Sequence, residues 1–189
     1  MASRGKILKI LINDDFFNDP DEIRNLALEY DYESSKDTWH TKWKRNWFGE
    51  RTKKLDIDEI NNRIIKIVTT FYNFDISQCS GYQSHFHLQH SQNANVEYLD
   101  HIKLHRDSLH KNGYAGLIYL TPNAPKDGGT LIVDGENAKV IDIDNVYNRL
   151  VCYPSFLIHG NNRLFGDCMS NGRLTLVFFF HSDELIEHR

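Results

Sequence analysis

The chain has 189 residues, 40% of them hydrophobic and 25% charged, which is typical of one soluble globular domain with a core of its own. A formal net charge of -4 argues against a polyanion-binding protein as a whole. No apolar run approaches the roughly 20 residues of a membrane-spanning helix.

Cysteine usage and the first residues bear on the compartment. The three cysteines, Cys79, Cys152 and Cys168, are odd in number and show no CxxC spacing. The first residues, MASRGKILKILIND, have a short apolar run without a cleavage-site pattern, so they indicate a strand and not a signal peptide. We therefore expect a reduced, cytoplasmic protein.

The first 75 residues predict one strand and two helices. The strand is expected over residues 6–13, and a first helix begins where Asp19 can act as N-cap ahead of Pro20. Apolar residues at helical spacing predict a second helix over about residues 58–73, with Asp56 or Asp58 as its cap.

Between the two helices lies a basic, aromatic segment over residues 36–55, which we predict to be a long ordered loop. Residues 36–54 hold seven Lys or Arg against two acidic residues, and three tryptophans, Trp39, Trp43 and Trp47, lie among them. Such a segment can bind nucleic acid, because aromatic rings stack on bases and cations follow phosphates. The favoured interpretation is that the tryptophans pack the loop onto the core.

The chain from residue 76 onward predicts β structure. Seven short strand-like segments follow, separated by Gly, Asn, Pro and Asp, with no helical pattern between them: 82–90, 96–107, 114–121, 129–135, 138–143, 149–156 and 173–181. We predict a mainly β protein with N-terminal helices, a double-stranded β-helix or jelly roll over residues 76–189. Residues 1–75 support this core, and residues 1–189 form a single domain.

A metal site is suggested by the sequence HRD. His105 and Asp107 are two residues apart in a predicted strand, so their side chains point to one face and can chelate one ion. The third ligand we favour is His159, at the end of a predicted strand before a Gly-Asn-Asn turn. Two histidines and one carboxylate form the facial triad of Fe(II) oxygenases. The alternative for the HxD pair is a polar strand end with a local ion pair.

An anion site is suggested by Arg173. It begins RLTLVFFF, an almost wholly apolar strand, and a buried cation needs an anionic partner. Its planar guanidinium suits a carboxylate, and Thr175 shares its face of the strand.

The ordered set of these motifs resembles the Fe(II)/2-oxoglutarate-dependent dioxygenases, specifically the small prolyl-hydroxylase-like branch, over nearly the full chain. The matching motifs are HRD (105–107), YAGLIYLTP (114–122), GGTLIV (128–133), YPSFLIHGNN (153–162) and RLTLVFFF (173–180), preceded by the opening ILINDDFFNDPDEIRNLALEY.

The resemblance implies a role for each site residue. His105, Asp107 and His159 would be the catalytic iron ligands, and Arg173 would bind the far carboxylate of 2-oxoglutarate. Tyr119 or Tyr114, on the strand after HxD, would help to bind the same carboxylate. Two departures stand out: the prolyl hydroxylases usually have Lys in place of Arg173, and their acidic residue after Gly-Gly is here Thr130.

The resemblance also implies an activity. With Fe(II), 2-oxoglutarate and O2, the enzyme would hydroxylate a protein side chain or a small molecule and release succinate and CO2. The basic segment would border the mouth of the site, where Trp47, Arg45 and Arg51 become candidates for contact with an anionic or protein substrate.

Two rival functions follow from the same fold. His85 and His87 form an HxH pair, as in a cupin-type metal protein, although no acidic residue follows at cupin-like spacing. The favoured interpretation of that pair is two histidines on a solvated or partly buried strand face. The other rival is a binding module that keeps the fold without turnover.

Overall fold

The computed structural model describes residues 9–34, 49–92, 104–135 and 139–182, in which two helices and ten strands occur. The helices are α1 (Pro20–Glu29) and α2 (Asp58–Tyr72). The strands are β1 (Leu11–Asn13), β2 (Tyr32–Ser34), β3 (Glu50–Thr52), β4 (Cys79–Gln89), β5 (Gly113–Tyr119), β6 (Thr130–Asp134), β7 (Lys139–Ile143), β8 (Leu150–Pro154), β9 (Ile158–Asn161) and β10 (Arg173–Ser182). Short 3-10 turns occur at Ile76–Gln78 and Lys126–Gly128.

The strands form two antiparallel sheets. The major sheet has seven strands in the order β1-β8-β5-β10-β4-β3-β2, and the minor sheet has three in the order β7-β6-β9. His105 extends the minor sheet through an isolated bridge to His159 in β9. The protein is thus mainly β, with the double-stranded β-helix architecture that the sequence predicts.

Each face of the major sheet covers a separate core. Strand β10 alternates: Leu174, Leu176 and Phe178 pack against the helices, whereas Val177 packs against the minor sheet. The helix-side core includes Ile64, which is fully buried on α2. The inner core, between the two sheets, is the face that bears the candidate site.

The helix predictions are confirmed, with one correction. The Asp19 carboxylate accepts a hydrogen bond from the Glu22 backbone N–H at 3.0 Å, so it caps α1 as expected. The cap position of α2 is instead Ile57, which makes no side-chain cap. Neither Asp56 nor Asp58 therefore caps this helix, which ends at Asn73 in a left-handed conformation.

Six of the seven predicted strand segments contain a strand; the other differences are local. Only Leu11–Asn13 of the first predicted strand is extended, and residues 6–8 lie outside the described residues. The basic segment contains β3 (Glu50–Thr52), which pairs with β4, so a continuous loop is wrong there; residues 36–48 lie outside the described part. Most of the predicted strand over 96–107 also lies outside it; residues 104–107 are described and form only an isolated bridge at His105, so the HRD motif does not lie in a strand. No helix in the described residues has the length and apolarity to cross a membrane.

Candidate active site

His105 and His159 face each other across the edge of the minor sheet. The backbone N–H of each donates to the carbonyl of the other, both at 2.9 Å, which is the hydrogen-bonded pairing of antiparallel strands. Directly opposed residues put their side chains on the same face, and the two imidazole ring centres are 4.5 Å apart. Sheet pairing thus brings together two residues that are far apart in the sequence.

Asp107 completes the group. Its Oδ1 lies 3.5 Å from His105 Nε2, and its Oδ2 lies 3.1 Å from His159 Nε2. Two ligands at right angles around an ion with bonds of about 2.1 Å are about 3 Å apart, so these separations fit one shared ion. In the described residues this is the one group of three or more potential ligands, with all donor atoms within 4.8 Å of one another.

The hydrogen bonding of His159 prepares its Nε2 as a ligand. His159 Nδ1 lies 3.0 Å from the Leu157 carbonyl oxygen, and because a carbonyl only accepts, Nδ1 must carry a proton. In the neutral ring Nε2 then holds a lone pair directed at a carboxylate oxygen. Two acceptors 3.1 Å apart need a cation between them, either a proton or a metal ion.

The turn between β8 and β9 holds the HRD segment in place. The Ser155 carbonyl accepts hydrogen bonds from the backbone N–H groups of Asp107 and Ser108, at 3.2 and 3.3 Å. The Arg106 guanidinium donates to the Phe156 carbonyl at 2.9 Å. The same turn therefore leads into His159 and anchors Asp107.

When no metal ion is bound, the Asp107 carboxyl is held in its charged form by the two histidines. Burial raises its pKa, but hydrogen bonds from the protonated His105 and His159 rings and their positive charges outweigh burial and put the pKa well below the usual range. The carboxylate is therefore available as a ligand over the whole neutral and mildly acidic range.

Arg173 is a buried cation on the inner face of the major sheet. Its Nε donates to the Gly128 carbonyl at 3.1 Å, and its terminal nitrogens donate to Gln89 Oε1 and Thr130 Oγ1, both at 3.2 Å. These are neutral acceptors, and no salt bridge joins Arg173 to an acidic side chain in the described parts of the chain. Since an uncompensated buried charge is costly, this arrangement suits an anionic ligand.

Tyr119 and Thr175 lie beside Arg173, as the alternation of the strands requires. The two are opposed across β5 and β10, and the Arg173 guanidinium carbon lies 5.5 Å from the centre of the Tyr119 ring. The Tyr119 hydroxyl and Thr130 Oγ1 are 2.8 Å apart, so Thr130 connects this tyrosine with Arg173. Thr175 is fully buried, and its hydroxyl donates to the His87 carbonyl at 3.3 Å.

Tyr114 does not join this cluster. It lies five residues from Tyr119 in the same strand, and an odd separation puts two side chains on opposite faces. Its ring stacks on Phe74 and Phe180, with centres 5.6 and 5.3 Å away, in the helix-side core. The structure thus separates the two tyrosines that were proposed together as cofactor contacts.

Tyr153 is a site residue that the sequence reasoning missed. It is buried on the inner face of β8, and its ring centre lies 4.7 Å from that of His159. Burial raises the pKa of its hydroxyl well above the usual value; the charge of Asp107 adds to that rise and the charge of Arg173 opposes it. Tyr153 therefore contacts the metal group through His159 and lies within the electrostatic influence of both Asp107 and Arg173. In the sequence, the two-residue spacing between Val151 and Tyr153 could have indicated that both side chains lie on the same face of the strand.

Of the three residues proposed to contact substrate, only Arg51 lies in the described part of the chain; Arg45 and Trp47 lie outside it. Arg51 lines a cavity of about 390 Å³ together with Asp107 and Phe179. The structure therefore puts Arg51 and the metal-group residue Asp107 on the wall of one cavity.

The HxH pair does not form a second metal group. His85 Nδ1 lies 3.0 Å from the Thr52 carbonyl, and His87 Nδ1 lies 3.5 Å from an Arg51 nitrogen. A neighbouring guanidinium disfavours a cation at His87. No cupin-like site is built from these two histidines within the residues that the structure describes.

No protein-family model matches the sequence, and no curated protein matches it. Solved structures with a similar fold do exist. A Pseudomonas putida prolyl-4-hydroxylase has a TM-score of 0.60 at 15% identity, covering 93% of this chain and 94% of that one. A Trichoplax adhaerens prolyl hydroxylase, in complex with a peptide fragment of the hypoxia inducible factor oxygen degradation domain, has a TM-score of 0.58 at 16% identity, covering 94% and 85%.

A third similar structure has a different activity. The non-heme alpha ketoglutarate dependent epimerase SnoN, from nogalamycin biosynthesis, has a TM-score of 0.57 at 11% identity, covering 93% of this chain and 78% of that chain. These likenesses, all at low identity, are likenesses of fold. The chain has the double-stranded β-helix fold of the 2-oxoglutarate-dependent enzymes. Prolyl hydroxylases, the branch that its motifs resemble, are among the solved structures with this fold.

Proposed function

We propose that the protein is an Fe(II)- and 2-oxoglutarate-dependent oxygenase that hydroxylates a protein side chain or a small molecule, with release of succinate and CO2. The observation that carries this proposal is a pairing of two groups on the inner face. One is the donor set of His105, Asp107 and His159, and the other is the buried cation Arg173 without an acidic partner in the described residues.

Each residue then has a task. His105, Asp107 and His159 would hold Fe(II) on one side and leave its other coordination positions open to ligands. Arg173, with Tyr119 beside it, would bind the far carboxylate of 2-oxoglutarate. When bound, iron and 2-oxoglutarate together would supply the oxidising chemistry that side chains lack.

The inner core would keep water away from one side of the site. Buried apolar residues of both sheets form this core, among them Leu117, Ile132 and Val177. Charge interactions on that side would be stronger than in bulk water, whereas the half-exposed side chain of His105 is in contact with solvent. Tyr153, which packs on His159, would fix the orientation of that imidazole.

The test is an anaerobic visible spectrum of the purified protein given Fe(II) and then 2-oxoglutarate. We expect a charge-transfer band that requires both additions, because a chelated keto acid is the group that produces it. Asp107→Asn, which keeps the shape but removes the charged donor, should abolish the band. Asp58→Asn, an exposed residue of α2 on the helix side, should leave it unchanged.

The outcomes separate the candidate functions. A band followed by succinate release in air, at a rate that an added substrate increases, supports the oxygenase. A band without succinate under any condition would indicate a binding module with the same fold. Iron binding without any band would contradict the proposal, and iron binding lost in His85→Ala but not in His105→Ala would favour the cupin-type site.

A further inference from the structure

The cavity of about 390 Å³ beside Asp107, here called the Arg51 cavity, has the size of a small-molecule site. Its lining includes Arg51, Asp107, His110, Phe179 and His181. It lies next to the metal group and contains neither Arg173 nor Tyr119, so it is distinct from the proposed 2-oxoglutarate position.

Arg51 presents a guanidinium to this cavity from β3. The strand pairing sets Arg51 opposite His87 of β4, and an Arg51 nitrogen lies 3.5 Å from His87 Nδ1. The guanidinium carbon lies 5.8 Å from the centre of the Phe179 ring, which is also part of the lining. Burial lowers the pKa of Arg51 to about 10, and the charge of Asp107 opposes that shift, so the side chain is a cation at neutral pH.

Two histidines lie across the same cavity. The ring centres of His110 and His181 are 5.3 Å apart. His110 Nδ1 accepts a hydrogen bond from the Asn112 backbone N–H at 3.3 Å, so the neutral ring carries its proton on Nε2 as a donor.

The backbone makes room for His181. Its strand β10 shifts register against β4 between Phe179 and His181, and such irregularities redirect side chains near functional sites. Gly81 faces the His181 ring at φ +63°, and a Cβ there would lie 2.7 Å from His181 Cε1. A side chain at position 81 is therefore excluded by both the backbone conformation and the neighbouring imidazole.

The charges of the lining are unequal. Asp107 is the one carboxylate among the lining residues that the structure describes, against one guanidinium and two imidazoles. If Asp107 binds a metal ion, as the proposed function requires, the charge of the ion compensates the charge of its carboxylate. The lining then retains one cation, Arg51, together with neutral polar groups that include the His110 ring as a hydrogen-bond donor.

We propose that the Arg51 cavity binds a carboxylate group of the primary substrate, and this inference rests on the proposed function. Arg51 is the partner of the carboxylate, His110 and His181 supply hydrogen-bond donors, and the Phe179 ring covers the apolar part next to the carboxylate. Because Asp107 and Arg51 line the same cavity, a carboxylate bound to Arg51 would bring its neighbouring carbons close to the metal group. A free carboxylic acid and an Asp or Glu side chain of a peptide share this chemistry.

The test compares carboxylates with amides of the same shape. Three pairs are measured by ligand-observed NMR on protein loaded with Zn(II) and 2-oxoglutarate: acetate and acetamide, benzoate and benzamide, and the capped residues N-acetyl-aspartate N-methylamide and N-acetyl-asparagine N-methylamide. Saturating 2-oxoglutarate keeps these probes away from Arg173. We expect at least one carboxylate to bind about tenfold or more tightly than its amide, as loss of a charge-assisted hydrogen bond predicts.

Three variants test whether Arg51 is the source of this preference for carboxylates. Arg51→Gln should abolish it, and Arg51→Lys, which keeps the charge without the planar fork, should retain part of it. Arg163→Gln removes an exposed guanidinium elsewhere and should not change it. Preference for the capped aspartate over acetate and benzoate would identify a peptide substrate, and the reverse order a free acid.

No carboxylate preference in any pair, or a preference that Arg51→Gln leaves intact, would overturn the inference. The anaerobic spectrum of the Fe(II) protein, recorded in parallel, separates this failure from failure of the proposed function. A band with no carboxylate preference would leave the oxygenase standing without this substrate class. An Arg51-dependent preference without a band would leave the cavity standing without the oxygenase.

Discussion

Arg173 combines a charged side chain with almost complete burial, being 4% exposed at the start of an apolar strand. Its hydrogen bonds go to two neutral side chains and two backbone carbonyls, and burial lowers its pKa. A residue selected for stability alone would be an apolar one of similar size at such a position. The position therefore points to a role in binding.

Replacing Arg173 by Met tests that role. We expect 2-oxoglutarate to bind at least about tenfold more weakly, because a buried charge-assisted pair is lost. The melting temperature without 2-oxoglutarate should change little or rise, since an apolar side chain avoids the cost of burying the guanidinium. Isothermal titration of 2-oxoglutarate and a thermal melt measure the two quantities.

Arg173→Lys is the matched control, because Lys is the residue that the resembled branch usually has there. It keeps the charge but cannot reproduce three hydrogen bonds in the fixed geometry of the guanidinium. We expect partial 2-oxoglutarate binding. Equal affinity in the wild type and the Met variant would be inconsistent with Arg173 as the carboxylate partner.

At the scale of elements, the turn from β8 to β9 has two functions. It anchors Asp107 through the Ser155 carbonyl, and it begins the short strand that holds His159. Strand β8 also pairs with β1 at the edge of the major sheet. Beside this pairing, an ion pair joins Arg149, which precedes β8, to Asp14, which follows β1. Arg149 donates from Nε to Asp14 Oδ1 at 2.5 Å and from a terminal nitrogen to Asp14 Oδ2 at 2.9 Å.

This ion pair predicts a pH-dependent contribution to stability. The hydrogen bond from Arg149 lowers the Asp14 pKa below its usual 3.8, so the carboxylate is favoured in the folded state. The contribution is therefore complete above pH 3.8 and is lost as the pH falls through the folded pKa. Asp14→Asn should reduce the free energy of unfolding at neutral pH and have a smaller effect at a pH below the folded-state pKa of Asp14.

Urea unfolding at both pH values measures the effect, and Asp14→Asn, Arg149→Gln and the double variant form a cycle that isolates the pair. Because the Asp14 side chain is half exposed, added salt should weaken the coupling at neutral pH. A coupling that persists unchanged at acid pH would show that the carboxylate charge is not its source.

At the scale of the whole molecule, the two cores share the major sheet. The helices stabilise one face and the candidate site lies on the other, so we propose that residues 1–189 unfold as one unit. Ile64 on α2 is fully buried, and Ile64→Ala should lower the free energy of unfolding by about 2–5 kcal/mol. The spectroscopic signals of the helices and of the aromatic side chains should be lost in one common unfolding transition.

Ile76→Ala is the matched control, since that isoleucine is 53% exposed and its truncation should cost far less. Zn(II) affinity per folded molecule should be unchanged in both variants, because neither residue contacts the metal group. Separate transitions for helix and sheet signals would argue against a single cooperative domain.

Local patterns in the sequence predict much of this architecture. The capping Asp19, the helical spacing of the apolar residues in α2 and the alternation in β10 are local signals, and they predict the right elements. The sequence-based predictions fail where strand pairing determines the secondary structure. The three-residue strand β3 forms because it pairs with β4. His159 lies in β9 because this strand pairs with β6 and with His105.

The ligand types, their order along the chain and the faces of the longer strands follow from the sequence, because side-chain chemistry and the two-residue period of a strand are local properties. Which of these residues come into contact depends on the tertiary structure. Sheet pairing places His105 beside His159, and the turn after β8 holds Asp107 in position. Tyr119 lies on the inner face of β5, whereas Tyr114 lies on the helix-side face. Contacts between residues distant in the sequence depend on strand order and register, which no local pattern specifies.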